Sequence, residues 1–330
     1  MKICVFGAGA VGGHLAAKLA ASGHEVSVIA RGAHLEAMRD KGITLVHGKD
    51  TIRAPLRAAE RAEGLGLQDV VFVTLKANAL GAFADAAAPL IGKDTAVVFA
   101  QNGIPWWYGI GLSGKRPRPP DLSKLDPAGK LRSVLHDNQI IGGVVYSANE
   151  VREPGVVVNN VPGNNMLVVG HADDARSAQI EELRSILGKA DLYSPPTCDI
   201  RQAVWAKIAQ NLGTGAICTL TGATVAQVRG DEGLKSLAAR LGAEGRAIAK
   251  AHGVDVEGAP QRPGGGQSPG LISHKPSLLQ DYERGRPMEI EAQLRTPLAF
   301  ARAAGVAAQT LEIVVPLVVF KATAKGLYGD

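Results

Sequence analysis

A short apolar run, Ile3 to Phe6, breaks into glycines spaced G-x-G-x-x-G and then into a helix-favouring stretch from His14 to Ala21. The order strand, tight turn, helix is the context in which that spacing acts as a dinucleotide loop. Gly7 allows the sharp turn off the strand, Gly9 lets backbone approach a pyrophosphate, and Gly12 lets the helix pack close to the sheet. Phosphates would then sit at the helix N-terminus, where unpaired N–H groups and the positive end of the helix dipole favour an anion. The expected contacts come from Gly7, Ala8, Gly9, Ala10, Val11 and Gly12. A plain βα turn is the alternative reading of these glycines.

The choice of dinucleotide is made after the next strand, Glu25 to Ala30. An NAD-preferring site places Asp or Glu there to hold the ribose 2′-hydroxyl. This chain has Arg31-Gly32 instead. An arginine can pair bidentately with a 2′-phosphate, so the expected cofactor is NADP(H), the alternative being a solvated loop arginine.

Composition narrows the class. A chain of 330 residues has room for two domains. No apolar run approaches the ~18 residues of a membrane span, and no charged-then-apolar leader opens the sequence, so a cytoplasmic protein is expected. The cysteines Cys4, Cys198 and Cys218 are too few and scattered for a disulfide framework or a zinc site. A net charge of +5 with 4% aromatic residues is not the clustered pattern of a nucleic-acid binder. It suits a surface that draws in anionic small molecules.

Strand-like segments follow at Ile43–Val46, Thr51–Leu56, Asp69–Leu75 and Thr95–Ala100. Asp69–Leu75 is a continuous apolar run, as in a parallel strand buried on both faces. The last two strands end in Lys76-Ala77-Asn78 and Gln101-Asn102-Gly103. Ligands of open α/β sheets bind beyond the carboxyl ends of strands, which makes Lys76 and Asn102 candidates to flank cofactor and substrate. Dipole capping by Lys76 and an ordinary Asn-Gly turn are the plainer alternatives. Residues 104–125, with Trp106 and Trp107, form a long proline-rich excursion that either walls a site or buries its own base.

Strands resume at Gln139–Ser147, read as a parallel addition to the sheet, and at Gly155–Asn159 and Asn165–Gly170, read as antiparallel edge strands. An amphipathic helix within His171–Ala190 follows, and Pro195-Pro196 marks the expected boundary between a domain of residues 1–195 and one of residues 196–330. The second is helical almost throughout, interrupted by a proline- and glycine-rich segment at Gly258–Gly270 that reads as a flexible loop. The fold class is therefore α/β, an N-terminal Rossmann-type doubly wound sheet with an all-helical C-terminal domain.

Within the helical part, Lys207 and Asn211 stand four apart and project from one helix face. A lysine in an apolar helix either snorkels to water or points into a cleft. Reduction of a ketone needs a proton donor for the developing alkoxide, and an ammonium also stabilises the negative charge. Downstream, His274-Lys-Pro-Ser277 and Asp281, Glu289 and Glu291 supply a hydroxyl and carboxylates.

These motifs together resemble the ketopantoate reductase (2-dehydropantoate 2-reductase) family over nearly the whole chain: the glycine loop, Leu75-Lys76-Ala77, Gln101-Asn102-Gly103, Trp205-Ala-Lys207-Ile-Ala-Gln-Asn211, and His274 to Asp281 followed by Glu289. The resemblance implies NADPH-dependent reduction of a 2-keto acid and a C-terminal domain like that of 6-phosphogluconate dehydrogenase. It also implies Lys207 as general acid and Glu289 as the second catalytic residue, substrate contacts from Asn102, Asn211, Ser277 and Glu289, and Lys76 and Asn102 on the nicotinamide side. The chain departs from the family pattern where a second asparagine is usual: it has Gly215, with Thr214 the nearby hydroxyl, and the 113–130 insertion is longer than is typical. The expected partners are a keto acid and a second copy in a homodimer, with neither nucleic acid nor membrane. The competing readings are a dehydrogenase of another keto or hydroxy acid and a non-catalytic NADP(H)-binding sensor.

Overall fold

The computed structural model describes residues 1–112, 114, 116–261 and 275–329. Ser113, His274 and residues 262–270 of the proline- and glycine-rich segment lie outside the described residues. The chain forms two compact units. One holds Met1–Gln101 and Ala128–Ile200; the other holds Asn102–Pro127, Arg201–Pro260 and the described residues from 275 onward.

The first unit is built on β1 (Lys2–Phe6), α1 (Ala10–Ala21), β2 (Glu25–Ile29), α2 (Gly32–Lys41), β3 (Ile43–His47), β4 (Asp50–Ala54), β5 (Arg57–Ala59), β6 (Val70–Val73), α3 (Leu80–Ala86) and β7 (Ala96–Phe99). It resumes with α4 (Lys130–Val134), β8 (Ile140–Tyr146), β9 (Asn149–Glu153), β10 (Val156–Asn159), β11 (Met166–His171) and α5 (Ala178–Lys189). The main sheet has seven strands in the order β11-β8-β7-β6-β1-β2-β5. Every pairing in it is parallel except that of β11 with β8. The chain runs outward from β1 through β2 to β5 and then crosses back to β6 on the other side of β1, so the switch point of the sheet lies between β1 and β6. Ligands of such sheets bind there.

The apolar runs earn their central places. Ile3, Val5, Val71, Phe72, Val97 and Val98 are fully buried. Phe6, Phe83 and Phe99 stack edge to face behind them, with centroids 5.2 and 5.8 Å apart. Cys4 packs in this layer, and burial pushes its thiol up to about 12, which removes it from chemistry.

The segment Gly155–Asn159 departs from expectation. It is not an edge of the main sheet: β10 lies in a second sheet, order β4-β3-β10-β9, where it runs parallel to β3 and antiparallel to β9. This sheet covers α1, with Ile43, Leu45 and Val157 buried against the helix. Parallel pairing of two strands about a hundred residues apart leaves no local signature, so only β3 and β10 as separate strands were readable.

The second unit contains α6 (Ile200–Thr221, entering from the first), α7 (Val225–Gly230), α8 (Glu232–Ala251), α9 (Ser277–Glu283), a π-helical turn (Glu291–Arg295), α10 (Thr296–Ala303) and α11 (Gln309–Thr323). The excursion at 102–127 belongs to it. Trp106, Trp107 and Tyr108 are buried, which settles their role as the base of the loop. They close around the fully buried Arg201, whose guanidinium donates to the carbonyls of Tyr108 (2.8 Å) and Ile110 (2.6 Å) and lies 5.3 Å from the Tyr108 ring. Trp205 donates to the Tyr108 hydroxyl at 2.7 Å, and both rings pack edge to face on Phe300.

One buried group makes the first unit acid-sensitive. His14 on α1 is 2% exposed, its Nε2 has no partner among the described residues, and burial, reinforced by Lys18 and His47 and opposed by Asp191, lowers its pKa from 6.5 to about 3. The folded state therefore holds the ring neutral while the unfolded chain protonates near 6.5. The stability this confers is present above about 6.5 and is lost as pH falls toward 3. Thermal midpoints should drop across that window, and His14→Leu should flatten the drop; equal slopes for both proteins would contradict the assignment.

Candidate active site

The glycine loop of the first unit is braced from behind. The amides of Gly7 and Ala8 both donate to Ile29 O (3.1 and 3.2 Å), tying the end of β1 to that of β2. Gly7 has φ 106°, open only to glycine at low cost, and its carbonyl accepts from Thr74 Oγ1 at 2.6 Å. A Cβ on Gly12 would overlap both of those oxygens, whereas a Cβ on Gly9 would meet nothing within 4 Å. Gly12 thus serves packing, and Gly9 leaves open space in front of the helix. The N-terminus of α1 has no side-chain cap and no acidic residue in its first turn, so its leading amides remain available to an anion.

Sequence reasoning missed His34. Its Nδ1 accepts from Gly155 N at 2.8 Å, so the proton sits on Nε2, which donates to Ala8 O at 2.7 Å. The ring pins the loop to the β9–β10 turn. Arg31 is exposed at the carboxyl end of β2, directly before α2, where an adenosine ribose is read in this fold. Lys76 follows β6, the neighbour of β1, and leads a 3₁₀ turn at Ala77–Ala79. Gln101 holds that corner: its Nε2 donates to Val73 O (2.6 Å) and Leu75 O (3.2 Å).

In the second unit, α6 presents Lys207, Asn211 and Gly215 at successive turns of one face. Burial pulls the Lys207 ammonium down from 10.5 to about 8, with the charge of the Glu289 carboxylate partly offsetting the fall. Glu289 is 6% exposed, and its Oε2 accepts from Gln293 Nε2 at 3.3 Å. Asn211 and Ser277 are half-buried, Ser277 opening α9. Leu278, beside Ser277, stands 3.5 Å from where a Cβ on Gly215 would lie, so the face that carries an asparagine in the family pattern is bordered here by an apolar side chain. Thr214, the nearest hydroxyl, turns back to Gln210 O (3.3 Å) on its own helix.

The loop that carries Asn102 docks on the π-helical turn. The Thr296 amide donates to Glu291 O, five residues back, and the next candidate donor for Ala292 O is Pro297, which has no N–H. The carbonyl of Ala292 is therefore left over by its own helix and accepts from Ile104 N at 2.8 Å. Gly103 crosses directly over it with φ 89°, a Cβ there falling 2.5 Å from Ala292 C and O. Only glycine fits, and Asn102 is fixed beside the turn that follows Glu289. Among the described residues no group of His, Cys, Asp and Glu could hold a metal ion, and no helix is long and apolar enough to cross a membrane.

The sequence pattern of the ketopantoate reductase PanE/ApbA family matches residues 3–174, and that of its C-terminal domain matches residues 199–322. The chain belongs to the ketopantoate reductase family. A 2-dehydropantoate 2-reductase of Mesorhizobium japonicum is 41% identical over the full length of both chains. A solved 2-dehydropantoate 2-reductase of Geobacter metallireducens is 25% identical, with a TM-score of 0.80 over 97% of this chain and 99% of its own. The same fold recurs in a D-mandelate dehydrogenase solved with NADH and anilino(oxo)acetate, at 20% identity, covering 99% of this chain and 100% of that one, with a TM-score of 0.80. As a member of the ketopantoate reductase family the protein is an oxidoreductase acting on a CH–OH group with a nicotinamide cofactor.

The close approach at Ala292 is testable without substrate. Gly103→Ala puts a Cβ into backbone at a left-handed φ, so the melting temperature should fall by several degrees, the equivalent of about 1–3 kcal/mol. An unchanged melting curve would show that the Asn102–Gly103 turn is not docked on the π-helical turn.

Proposed function

We propose that the protein reduces a 2-keto acid to the 2-hydroxy acid with NADPH, ketopantoate being the first substrate to try. The observation that carries this reading is a half-buried lysine on an apolar helix whose charge the buried Glu289 carboxylate favours, with Asn211 one turn further along the same helix face. The dinucleotide, when bound, supplies a hydride. Gly7 to Gly12 would hold its pyrophosphate, Arg31 the 2′-phosphate, and Lys76 and Asn102 the nicotinamide end.

As the keto oxygen gathers negative charge, the Lys207 ammonium stabilises it and hands over one proton. Glu289 favours the protonated form of Lys207 before turnover, and Gln293 donates a hydrogen bond to the Glu289 carboxylate. Asn211, Ser277 and Asn102 orient the substrate through hydrogen bonds to its carboxylate and hydroxyl groups. A sensor that only binds the dinucleotide has no use for this proton donor.

Because Lys207 acts in its protonated form, kcat for reduction should stay level below about 8 and fall as pH rises through it. Lys207→Ala should lose about 10²–10⁴-fold in kcat with NADPH binding nearly unchanged. Near-native turnover of that variant, or a plateau extending to pH ~10, would remove Lys207 from the chemistry.

Cofactor choice rests on Arg31. NADPH should bind more tightly than NADH, and Arg31→Ala should narrow the gap; equal affinities in the native protein would refute the role. At Gly215 a missing amide and a neighbouring Leu278 favour a keto acid with an apolar substituent over one with a terminal hydroxyl. Each hydrogen bond withheld costs about 0.5–1.5 kcal/mol, so KM for ketopantoate should exceed that of such a substrate and Gly215→Asn should lower it. Ketopantoate as the best substrate, with a KM indifferent to Gly215→Asn, would leave the plain family activity standing.

A further inference from the structure

The backbone on either side of Glu289 is gripped by the segment that follows α11. Met288, directly before Glu289, donates its amide to Leu327 O at 2.9 Å. Helix α11 gives way to that segment at Gly326, φ 66°, where Gly326 N donates to Thr323 O (2.9 Å) and Leu327 N to Ala322 O (3.0 Å), the paired bonds of a glycine stop. The stop buries Leu327 and brings Tyr328 against the π-helical turn.

The Tyr328 hydroxyl joins the two ends of that turn. It donates to Glu291 Oε2 at 2.6 Å and accepts from Arg295 Nη1 at 3.0 Å, with the guanidinium carbon 5.9 Å from the centre of its ring. Arg295 Nε stands 3.7 Å from Glu291 Oε2, too far for a hydrogen bond, so the phenol bridges the pair. Burial and the bond to Glu291 push the phenol up to about 12, and it therefore stays a donor wherever Lys207 titrates. Gln293, which donates to Glu289 Oε2 at 3.3 Å, lies inside the bridged turn. Met288, Ile290, Ala292 and Leu294 are buried along the same stretch, so a shift of its backbone carries the Glu289 carboxylate with it.

We propose that Tyr328 is a positioning residue for the proton donor: by bridging Glu291 and Arg295 it fixes the turn that supplies Gln293 to Glu289, and so holds the carboxylate where it favours the Lys207 ammonium. This rests on Lys207 and Glu289 being the reacting pair of the proposed reduction. A tyrosine that only packs would use its ring, whereas here the hydroxyl carries the contacts.

Tyr328→Phe removes the hydroxyl and keeps the ring. Side-chain NMR of the free protein should show Lys207 titrating below its native value of about 8, part of the way toward its position in Glu289→Gln, because a carboxylate that moves favours the ammonium less. The kcat for reduction should fall about tenfold, with NADPH binding and the circular dichroism spectrum unchanged. A double-mutant cycle separates positioning from packing: in a Glu289→Gln background Tyr328→Phe should alter neither the Lys207 titration nor the residual kcat, since the group it acts through is gone. The NMR arm needs no turnover, so native turnover in Lys207→Ala would sink the reaction chemistry while the titration still decides whether Tyr328 positions Glu289. Lys207 titrating alike in the native and Tyr328→Phe proteins, or Tyr328→Phe costing as much in Glu289→Gln as in the native background, would overturn the proposal.

Discussion

An ammonium inside a helix is the constraint on which the second unit turns. Burial of Lys207 disfavours its charge, and without compensation such a group either loses its proton or unfolds its surroundings. Glu289 supplies the compensation, itself buried and therefore in need of a donor, which Gln293 provides. The balance leaves Lys207 at about 8, which suits the proton-donor role proposed for it. Removing the carboxylate alone would leave a half-buried charge without its partner, so the two residues act as one.

The scaffold fixes these groups through backbone carbonyls. In the second unit Pro297 deprives Ala292 O of a helical donor, and the loop bearing Asn102 takes up that oxygen. In the first unit Thr74, His34 and Gln101 bind the carbonyls of Gly7, Ala8, Val73 and Leu75. Polar side chains near the strand ends thus spend their hydrogen bonds on shaping the loops, while the N-terminus of α1 carries no side-chain cap. π-helical turns tend to occur at functional sites for this reason, since the extra residue frees a backbone group for another use.

The parts of this arrangement that were readable in the sequence are those with a local pattern. A glycine spacing after an apolar run, a lysine four residues before an asparagine, and continuous apolar strands carry their meaning in neighbouring residues. The second sheet was not readable as a sheet, because β3 and β10 pair across more than a hundred residues and each looks like an ordinary edge strand. His34 is an unremarked residue in the first turn of α2 until the fold brings Gly155 against it. Gln293 likewise gains its role only once the fold buries Glu289, four residues before it on the same helical turn. The tryptophans of the 104–125 excursion could be assigned to packing only once Arg201 was seen among them.

The central claim, that Lys207 is a half-buried ammonium poised by Glu289, is open to direct observation. NMR titration of the protein labelled at the lysine side-chain carbons should report Lys207 changing protonation near 8, well below the other lysines. In Glu289→Gln, where the offsetting charge is gone, the same signal should titrate lower still. A Lys207 that titrates near 10.5 in the native protein, or one indifferent to Glu289→Gln, would contradict the account.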